Sequence, residues 1–207
     1  MRWISALVLA VFLTVGSGTA ALAASAEKAL ADYENGLGRL RVGDYASAVR
    51  WFEISASKGN ATAQSHLGDM YLKGQGITQD YDEAVKWYRK AAEQGNARAQ
   101  FNLGLMYRKG FGALQDYDEA VKWYRKAAEQ GNAPAQGLFG IMYANGLGVL
   151  QDDIMAHMWF NISSANGGKT GADNRAKIEK KMTASQIAEA QKLARKCMKQ
   201  NYRSCSR

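Results

Sequence analysis

The chain carries one long segment twice. Residues 80–97 read DYDEAVKWYRKAAEQGNA, and residues 116–133 repeat the same eighteen residues 36 positions later. A fixed period of 20–50 residues is typical of stacked supersecondary units, each of which buries its apolar face only against its neighbours. Such arrays mostly bind other macromolecules. The repeat therefore predicts the architecture well and says little about the partner.

Recurring aspartates and glycines mark the ends of helices. They stand 36 residues apart, the aspartates at 44, 80, 116 and 152 and the glycines at 59, 95, 131 and 167. Within the unit 96–131, Asn96 and Asp116 are expected to begin two helices as N-caps, and Glu119 completes a pair of the capping-box type. Gly110, with a second glycine two residues later, permits the positive-φ turn that separates the two helices.

The apolar positions follow a helical period and give each helix one face to bury. In the second helix of the unit they are Ala120, Val121, Trp123, Tyr124, Ala127 and Ala128, whereas lysine, arginine and glutamate occupy the other face. Gly104 in the first helix allows a neighbouring helix to approach closely. No stretch predicts a β-strand, so we expect an all-α chain of helix pairs.

Together these residues resemble the Sel-1-like repeat, a relative of the tetratricopeptide repeat. The matching positions are Ala99, Leu103, Gly104, Tyr107, Gly110, Gly112, Asp116, Ala120, Trp123, Ala127, Ala128 and Gly131. The resemblance covers three units, 60–95, 96–131 and 132–167. It implies an α-solenoid of stacked antiparallel helix pairs, wound as a right-handed superhelix, whose usual role is protein binding.

The segments on either side of the repeats are expected to form helical caps. Residues 24–59 read as a degenerate helix pair in register with the repeats, and residues 168–207 as a basic C-terminal cap. The four helices expected there are 27–41, 45–57, 172–182 and 184–199. Thr183 and Gln186 have the spacing of a capping box at the start of the last helix.

The first 23 residues have the features of a signal peptide. Arg2 provides a positive start, residues 4–15 form an almost unbroken apolar run, and Ala21–Ala23 offers a small-x-small cleavage site. The run is shorter than the roughly 20 residues that a membrane-spanning helix needs, although an uncleaved anchor is the alternative. We expect cleavage near Ala23 and a soluble mature chain, 24–207, that is periplasmic or secreted.

The charge of the mature chain is concentrated at its C-terminal end. Residues 24–168 carry a net charge of −1, whereas residues 169–207 carry +8. A concentrated basic segment attracts acidic proteins, anionic envelope surfaces or polyanions in a salt-dependent way; the alternative is a solvated helix face that only keeps the protein soluble. Export argues against nucleic acid as the partner.

Both cysteines, Cys197 and Cys205, lie near the C-terminus. In an exported chain two close cysteines indicate one disulfide, which would hold the last turn of the final helix to the tail. A redox pair or a metal site is the alternative, but the chain has no C-x-x-C and no histidine near either cysteine. His66 and His157 also lack partners at metal-ligand spacing, so we expect packing roles for them and no metal or cofactor.

Comparison of the three first helices separates changing positions from nearly constant ones. Positions 62, 65, 66, 69 and 72, with their equivalents 36 and 72 residues later, change and share one helical face. First helices line the concave surface in solenoids of this type, so this face is the candidate binding surface. The predicted partner contacts are His66, Asp69, Arg98, Phe101, Asn102, Leu105, Arg108, Leu138 and Ile141.

An apolar patch is expected within this candidate surface. Phe101, Leu105, Leu138 and Ile141 would form it, and an apolar patch on a soluble protein indicates a docking site. Neutral drift on a solvent face, or burial beneath the C-terminal helices, is the alternative. The favoured function is protein binding or scaffolding in the bacterial envelope; the rival is a protein that binds an acidic envelope surface through its basic C-terminus.

Two fragments resemble motifs of penicillin-recognising serine enzymes. The segment Ser55–Lys58 fits S-x-x-K, and residues 169–171 spell K-T-G. These motifs act together only when K-T-G lies on a strand beside the serine, with an S-D-N motif nearby. No strand is predicted and S-D-N is absent. A β-lactamase-like hydrolase is therefore the weakest alternative, and we predict neither catalysis nor a small-molecule substrate.

Overall fold

The structure is a computed structural model that describes residues 4–202 and 205, with the side chains of residues 21–202 and 205. Within these residues it contains ten α-helices and no β-strand. The helices are α1 (Ile4–Arg41), α2 (Tyr45–Ser57), α3 (Ala61–Lys73), α4 (Tyr81–Glu93), α5 (Ala97–Lys109), α6 (Tyr117–Ala128), α7 (Ala133–Asn145), α8 (Asp153–Ala165), α9 (Gly171–Glu179) and α10 (Ala184–Lys199). The prediction of an all-α repeat fold is confirmed.

The helices fall into two compact units. The first contains α1 to α3 and ends at Gln79, and the second begins at Asp80 and contains α4 to α10. Within each unit consecutive helices up to α9 pack against one another, whereas α10 packs mainly against α8. The repeat helices are therefore buried mainly by their neighbours in sequence, as expected when a short repeat cannot bury its own apolar face.

Side-chain caps begin the helices where the sequence places them. The Asp116 carboxylate accepts a hydrogen bond from the Glu119 amide at 2.9 Å, so the predicted N-cap is present. The second bond of a capping box, from the Asp116 amide to the Glu119 carboxylate, is absent. The Glu119 carboxylate instead accepts hydrogen bonds from Lys122 and from the Trp123 ring nitrogen. Both halves of the capping box form only at the start of α10 among the helices described, as predicted there.

The bounds of helices α1 and α9 differ from the predictions. Helix α1 begins at Ile4 rather than at Glu27, because no proline interrupts the alanine-rich segment before Glu27. Helix α9 ends at Glu179 rather than at Met182, because the Met182 amide turns back to donate to the Glu179 carbonyl.

The features of the predicted signal peptide are only partly described by the structure. Arg2 and the side chains of the apolar run lie outside the described residues, so export stays a prediction. Among the residues that the structure describes, no helix is both long enough and apolar enough to cross a membrane.

Glycine lets the two helices of a pair approach closely. A Cβ atom placed on Gly104 would lie 2.8 Å from the ring of Tyr124, and one on Gly140 would lie 2.7 Å from the ring of Phe160. Both distances are too short for carbon atoms in contact, so any side chain would separate the paired helices. The close approach predicted for Gly104 is confirmed, and Tyr124 fills the core that it opens.

A buried glutamine joins each first helix to the end of the helix before it. The side-chain amide donates to a backbone carbonyl eight residues earlier, in the last turn of the preceding helix. The pairs are Gln64 with Ala56 at 3.2 Å, Gln100 with Ala92 at 3.1 Å and Gln136 with Ala128 at 3.0 Å. Each of these carbonyls also accepts a backbone hydrogen bond, from Gly59, Gly95 and Gly131 respectively, so the glutamine adds a second bond at the end of the helix.

Candidate functional site

The two predicted contacts of the first unit, His66 and Asp69 on α3, pack inward. The His66 ring stacks on Phe52 with centroids 5.1 Å apart, and its Nε2 atom lies 3.3 Å from the hydroxyl oxygen of Tyr33. Asp69 is only 8% exposed. Asp69 is therefore buried rather than on an open surface, and its role as a partner contact stays a prediction.

In the second unit, Phe101 on α5 and Leu138 on α7 line one pocket of about 400 Å³. Both side chains are half-buried and pack against the main core cluster at their inner ends. The loop between α8 and α9 closes the other side. We call this pocket the notch; its lining residues are Phe101, Ala133, Pro134, Leu138, Ser163, Gly167, Gly168, Lys169 and Thr170.

A glycine on α7 determines how closely the loop wall of the notch approaches. Gly137 occupies the repeat position that holds Phe101 one repeat earlier, and it is buried. A Cβ atom on Gly137 would lie 3.2 Å from the Ser163 hydroxyl and 3.7 Å from the Thr170 hydroxyl. The missing side chain thus lets the loop between α8 and α9 fold down beside α7.

Hydrogen bonds fix the loop wall of the notch. The Ser163 hydroxyl donates to the Ala133 carbonyl at 2.8 Å, and the Gly168 amide donates to the Ser163 carbonyl at 2.7 Å. The Asn166 amide group donates to Gln136 at 2.9 Å. Because these bonds tie the loop to α7 and α8, the notch has rigid walls and needs little ordering when it is filled.

The C-terminal tail supports the same loop. Cys197 in the last turn of α10 and Cys205 form a disulfide, with Cα atoms 5.1 Å apart. Between them, the Tyr202 hydroxyl donates to the Asn166 side chain at 2.9 Å. Tyr202 therefore holds the residue that precedes Gly167, and the disulfide limits how far the tail can move away.

The residues that line the notch carry positive charge only. Lys169 is the only charged side chain among the residues that line it. Helix α7 carries no charged residue, and the charged residues of α5 are Arg98, Arg108 and Lys109. The two helices that present Phe101 and Leu138 therefore contain no carboxylate, and the nearest acidic residue along the chain from Lys169 is Asp173 in the first turn of α9.

The predicted apolar patch of four residues is divided in the structure. Ile141 lies in a separate cleft of about 160 Å³ beside α9, packed near Phe160 and Ile178. For Ile141 the alternative of burial beneath the C-terminal helices is the better description. Leu105 is half-buried and lines neither the notch nor that cleft.

The polar predicted contacts of α5 differ in exposure. Arg98 is exposed at the start of the helix and Asn102 is half-buried. Arg108 lies beside the hydroxyl of Tyr124; burial raises the pKa of Tyr124 to about 12, and Arg108 opposes part of that rise. Arg108 thus also contacts the core, which the comparison of repeats did not reveal.

The basic C-terminal segment presents a second surface. On α10, a shallow cleft of about 690 Å³ has Leu193 at its base and four basic side chains around it. The basic residues are Lys192, Arg195, Lys196 and Lys199. The positive charge of the segment is thus partly gathered on one helix face.

A model of a known protein family matches four consecutive segments of the chain. The family model described as Sel1 repeat matches residues 24–60, 61–96, 97–132 and 133–168. The chain belongs to the Sel1 repeat family. The first match includes the helix pair of residues 24–59, so the family model recognises four repeats where the sequence pattern identifies three and a degenerate pair. Sel1 repeat proteins are generally protein-interaction scaffolds.

Two solved structures show the same Sel1 architecture. A Sel1 repeat protein from Oxalobacter formigenes is 37% identical, with a TM-score of 0.66 over 69% of this chain and 58% of that one. The protective antigen c5321 of uropathogenic Escherichia coli, which displays an SLR fold, is 31% identical, with a TM-score of 0.60 over 89% of this chain and 49% of that one. The chain thus spans about half of these relatives. No curated protein matches it as a relative.

The fragments that resemble catalytic motifs have structural roles in this Sel1 repeat protein. Ser55 is fully buried and donates to the Ala29 carbonyl at 2.5 Å, and Lys58 pairs with Asp32. The S-x-x-K segment lies in the first unit, whereas K-T-G lies in the second. The Sel1 fold is typically that of a non-enzymatic scaffold.

The second histidine is a buried packing residue. His157 on α8 is fully buried, and its Nε2 atom lies 2.8 Å from the Glu179 carboxylate on α9. This contact ties α9 to α8. The residues that the structure describes contain no group of three histidine, cysteine, aspartate or glutamate side chains that could hold a metal ion.

Proposed function

We propose that the protein is an exported binding module that holds a segment of another protein in the notch. The observation that carries the proposal is the meeting of Phe101 and Leu138, two apolar side chains from different repeats, at an open pocket with rigid walls. Protein interfaces obtain most of their affinity from a few large side chains seated in such pockets. The scaffold role general to Sel1 repeat proteins supports the same function.

The notch suits an inserted side chain better than a flat contact. Its volume of about 400 Å³ is near the lower end of the range for ligand pockets. Phe101, Pro134 and Leu138 supply apolar walls, and the hydrogen-bonded loop holds those walls in place. One large apolar side chain of the partner would displace water from these walls without reorganising them.

Export of the protein is the second part of the proposal. The apolar leader, the cleavage site near Ala23 and the disulfide between Cys197 and Cys205 all suit an oxidising compartment outside the cytoplasm. Fractionation of expressing bacteria, followed by mass spectrometry of the intact protein, tests this part. We expect a periplasmic protein that begins near residue 24; a cytoplasmic protein that keeps its first residues would contradict export.

An affinity-capture experiment tests binding at the notch. The bait is the exported protein, exposed to envelope extract at low salt and at about 0.3 M salt, where exposed charges are strongly screened. The test variant is Phe101→Ala with Leu138→Ala. The matched control is Leu114→Ala with Leu150→Ala, because both leucines are 91% exposed and lie away from the notch lining.

We expect a discrete protein that is retained at the higher salt concentration by the wild type and by the control pair. The notch pair should lose it while keeping the wild-type circular dichroism spectrum. Retention by the notch pair, or capture of nothing by the wild type, would contradict the proposal. Synthetic peptides from any captured protein then locate the bound segment.

The cleft on α10 supports a second candidate function, binding to an anionic envelope surface. Four basic side chains around Leu193 can attract such a surface, and the attraction falls steeply with salt. In the same capture experiment, Lys192→Gln with Lys196→Gln would then abolish retention, and so would the higher salt concentration. Envelope material that is insensitive to both changes would exclude this candidate.

A further inference from the structure

We propose that the notch recognises the carboxyl terminus of a partner protein whose last residue is apolar. The terminal side chain would lie against Phe101 and Leu138, and the terminal carboxylate would pair with Lys169. This inference rests on the proposed function and specifies the chemistry of the partner. Carboxyl-terminal capture is a recurring way in which proteins recognise peptides.

Charge complementarity selects a carboxylate rather than a neutral or cationic group. Lys169 is the only charged residue on the lining of the notch, and it stands on the same loop that closes the pocket. Helices α5 and α7 contain Arg98 and Arg108 and no acidic side chain, and Asp173 in the first turn of α9 is not among the residues that line the notch. A cationic segment would find no counter-charge on the lining of the notch.

The geometry of an extended peptide favours a terminus over an internal acidic residue. Successive side chains of an extended chain point to opposite sides. If an internal leucine entered the notch, the carboxylate of a neighbouring residue would point away from Lys169. A terminal residue carries its side chain and its carboxylate on the same Cα atom, so both groups reach Leu138 and Lys169 from one position.

The closed end of the notch also suits a chain that stops there. The loop from Gly167 to Thr170 forms a wall that is tied by the Ser163 and Asn166 hydrogen bonds described above. A chain that continued past the inserted residue would have to pass this wall. Gly137 lets this wall approach α7, whereas the same position in the preceding repeat holds Phe101.

A titration with two small ligands tests the inference directly. The ¹⁵N-labelled protein is purified after expression of the full chain with its own leader, and amide shifts are recorded with N-acetyl-L-leucine and with N-acetyl-L-leucinamide. The acid and the amide have the same side chain and differ only in the carboxylate. A ligand of about twelve non-hydrogen atoms should bind with a Kd in the millimolar range.

We expect the acid to shift the amides of residue 133 and of residues 135–138 and 167–171, and to bind about two- to fivefold more tightly than the amide, because Lys169 is exposed. Lys169→Ala should remove the preference for the acid, and Gly137→Leu should remove the binding of both ligands by displacing the loop wall. Lys192→Ala on α10 is the matched control and should change neither.

Several results would overturn the inference. Equal affinity for the acid and the amide, no shift with either ligand at about 20 mM, a concentration well above the expected Kd, or an acid preference that survives Lys169→Ala would each exclude recognition of a terminus. The proposed function could still stand in that case, because envelope capture that depends on Phe101 and Leu138 does not require a carboxylate. The two proposals can therefore fail separately.

Discussion

Replacing Gly112 by alanine should destabilise the second unit far more than the same change at Gly95. Both glycines have positive φ values, +64° at Gly112 and +90° at Gly95. A Cβ atom on Gly112 would lie 2.1 Å from the Tyr81 carbonyl oxygen, whereas nothing lies within 4 Å of one on Gly95. The two positions therefore share the backbone conformation and differ in packing.

The expected free energies follow from these two effects. An alanine held in the left-handed region costs about 1–2 kcal/mol, and both variants bear this cost. At Gly112 the backbone of Tyr81 must also move, and such overpacking adds about 1–3 kcal/mol. The same contact recurs between Gly148 and Tyr117, where the Cβ-to-oxygen distance would be 2.3 Å. Gly148→Ala should therefore resemble Gly112→Ala.

Urea unfolding followed by circular dichroism at 222 nm measures these differences. We expect a loss of about 2–5 kcal/mol for Gly112→Ala and about 1–2 kcal/mol for Gly95→Ala. The reasoning would be refuted if the two variants lost equal stability, because the contact between the glycine loop and the first residue of α4 would then contribute nothing. A separate early transition would show instead that the repeats unfold one after another.

Three further changes test other contacts. Gln100→Leu removes two side-chain hydrogen bonds, to the Ala92 carbonyl and from the Gln130 side chain, so urea unfolding should show a loss of about 1–3 kcal/mol. Cys197→Ser with Cys205→Ser removes the constraint on a short loop and should cost about 2–3 kcal/mol, measured against the oxidised protein. The raised pKa of Tyr124, about 12 against 10.0, means that the folded state holds its proton longer than the unfolded state, so stability should be lost as pH rises from 10 to 12. Tyr124→Phe should remove about 2–3 kcal/mol of that loss.

The repeated segments made most of the fold predictable. The bounds of α5 and α10 agree with the predicted helices, because a side-chain cap marks the start of both and a glycine marks the end of α5. The start of α1 was not predicted, because the residues before Glu27 carry a leader pattern rather than a helix-start signal. The end of α9 was also missed, since no glycine follows Glu179 to mark it.

The candidate site was less predictable than the fold. The comparison of repeats identified Phe101 and Leu138, but it also placed Asp69 on an open surface, because periodicity shows which residues share a face and not what covers that face. The loop residue Lys169 was noticed only as part of K-T-G. Its position in the notch depends on where the cap folds, which no period in the chain encodes.

A usable signal for the buried glutamines was present and was overlooked. Glutamine stands at 64, 100 and 136, so it is constant through the three first helices. Comparing the repeats for change draws attention to binding, whereas a constant polar residue among apolar ones indicates a buried hydrogen bond. Such a position predicts the joint between repeats as clearly as the glycines do.

The place of the notch suggests how a repetitive chain acquires one specific site. Identical repeats would offer the same surface at every step, so a partner could not distinguish one step from the next. Here the position that holds Phe101 in one repeat holds Gly137 in the next, and the cap loop closes over the gap. Both features are needed for the pocket. Without the glycine the loop could not approach α7, and without the loop the notch would lack one of its walls. The proposed site therefore lies where the array ends and the cap begins, and the constant residue Gln136 bonds to Asn166 at that junction.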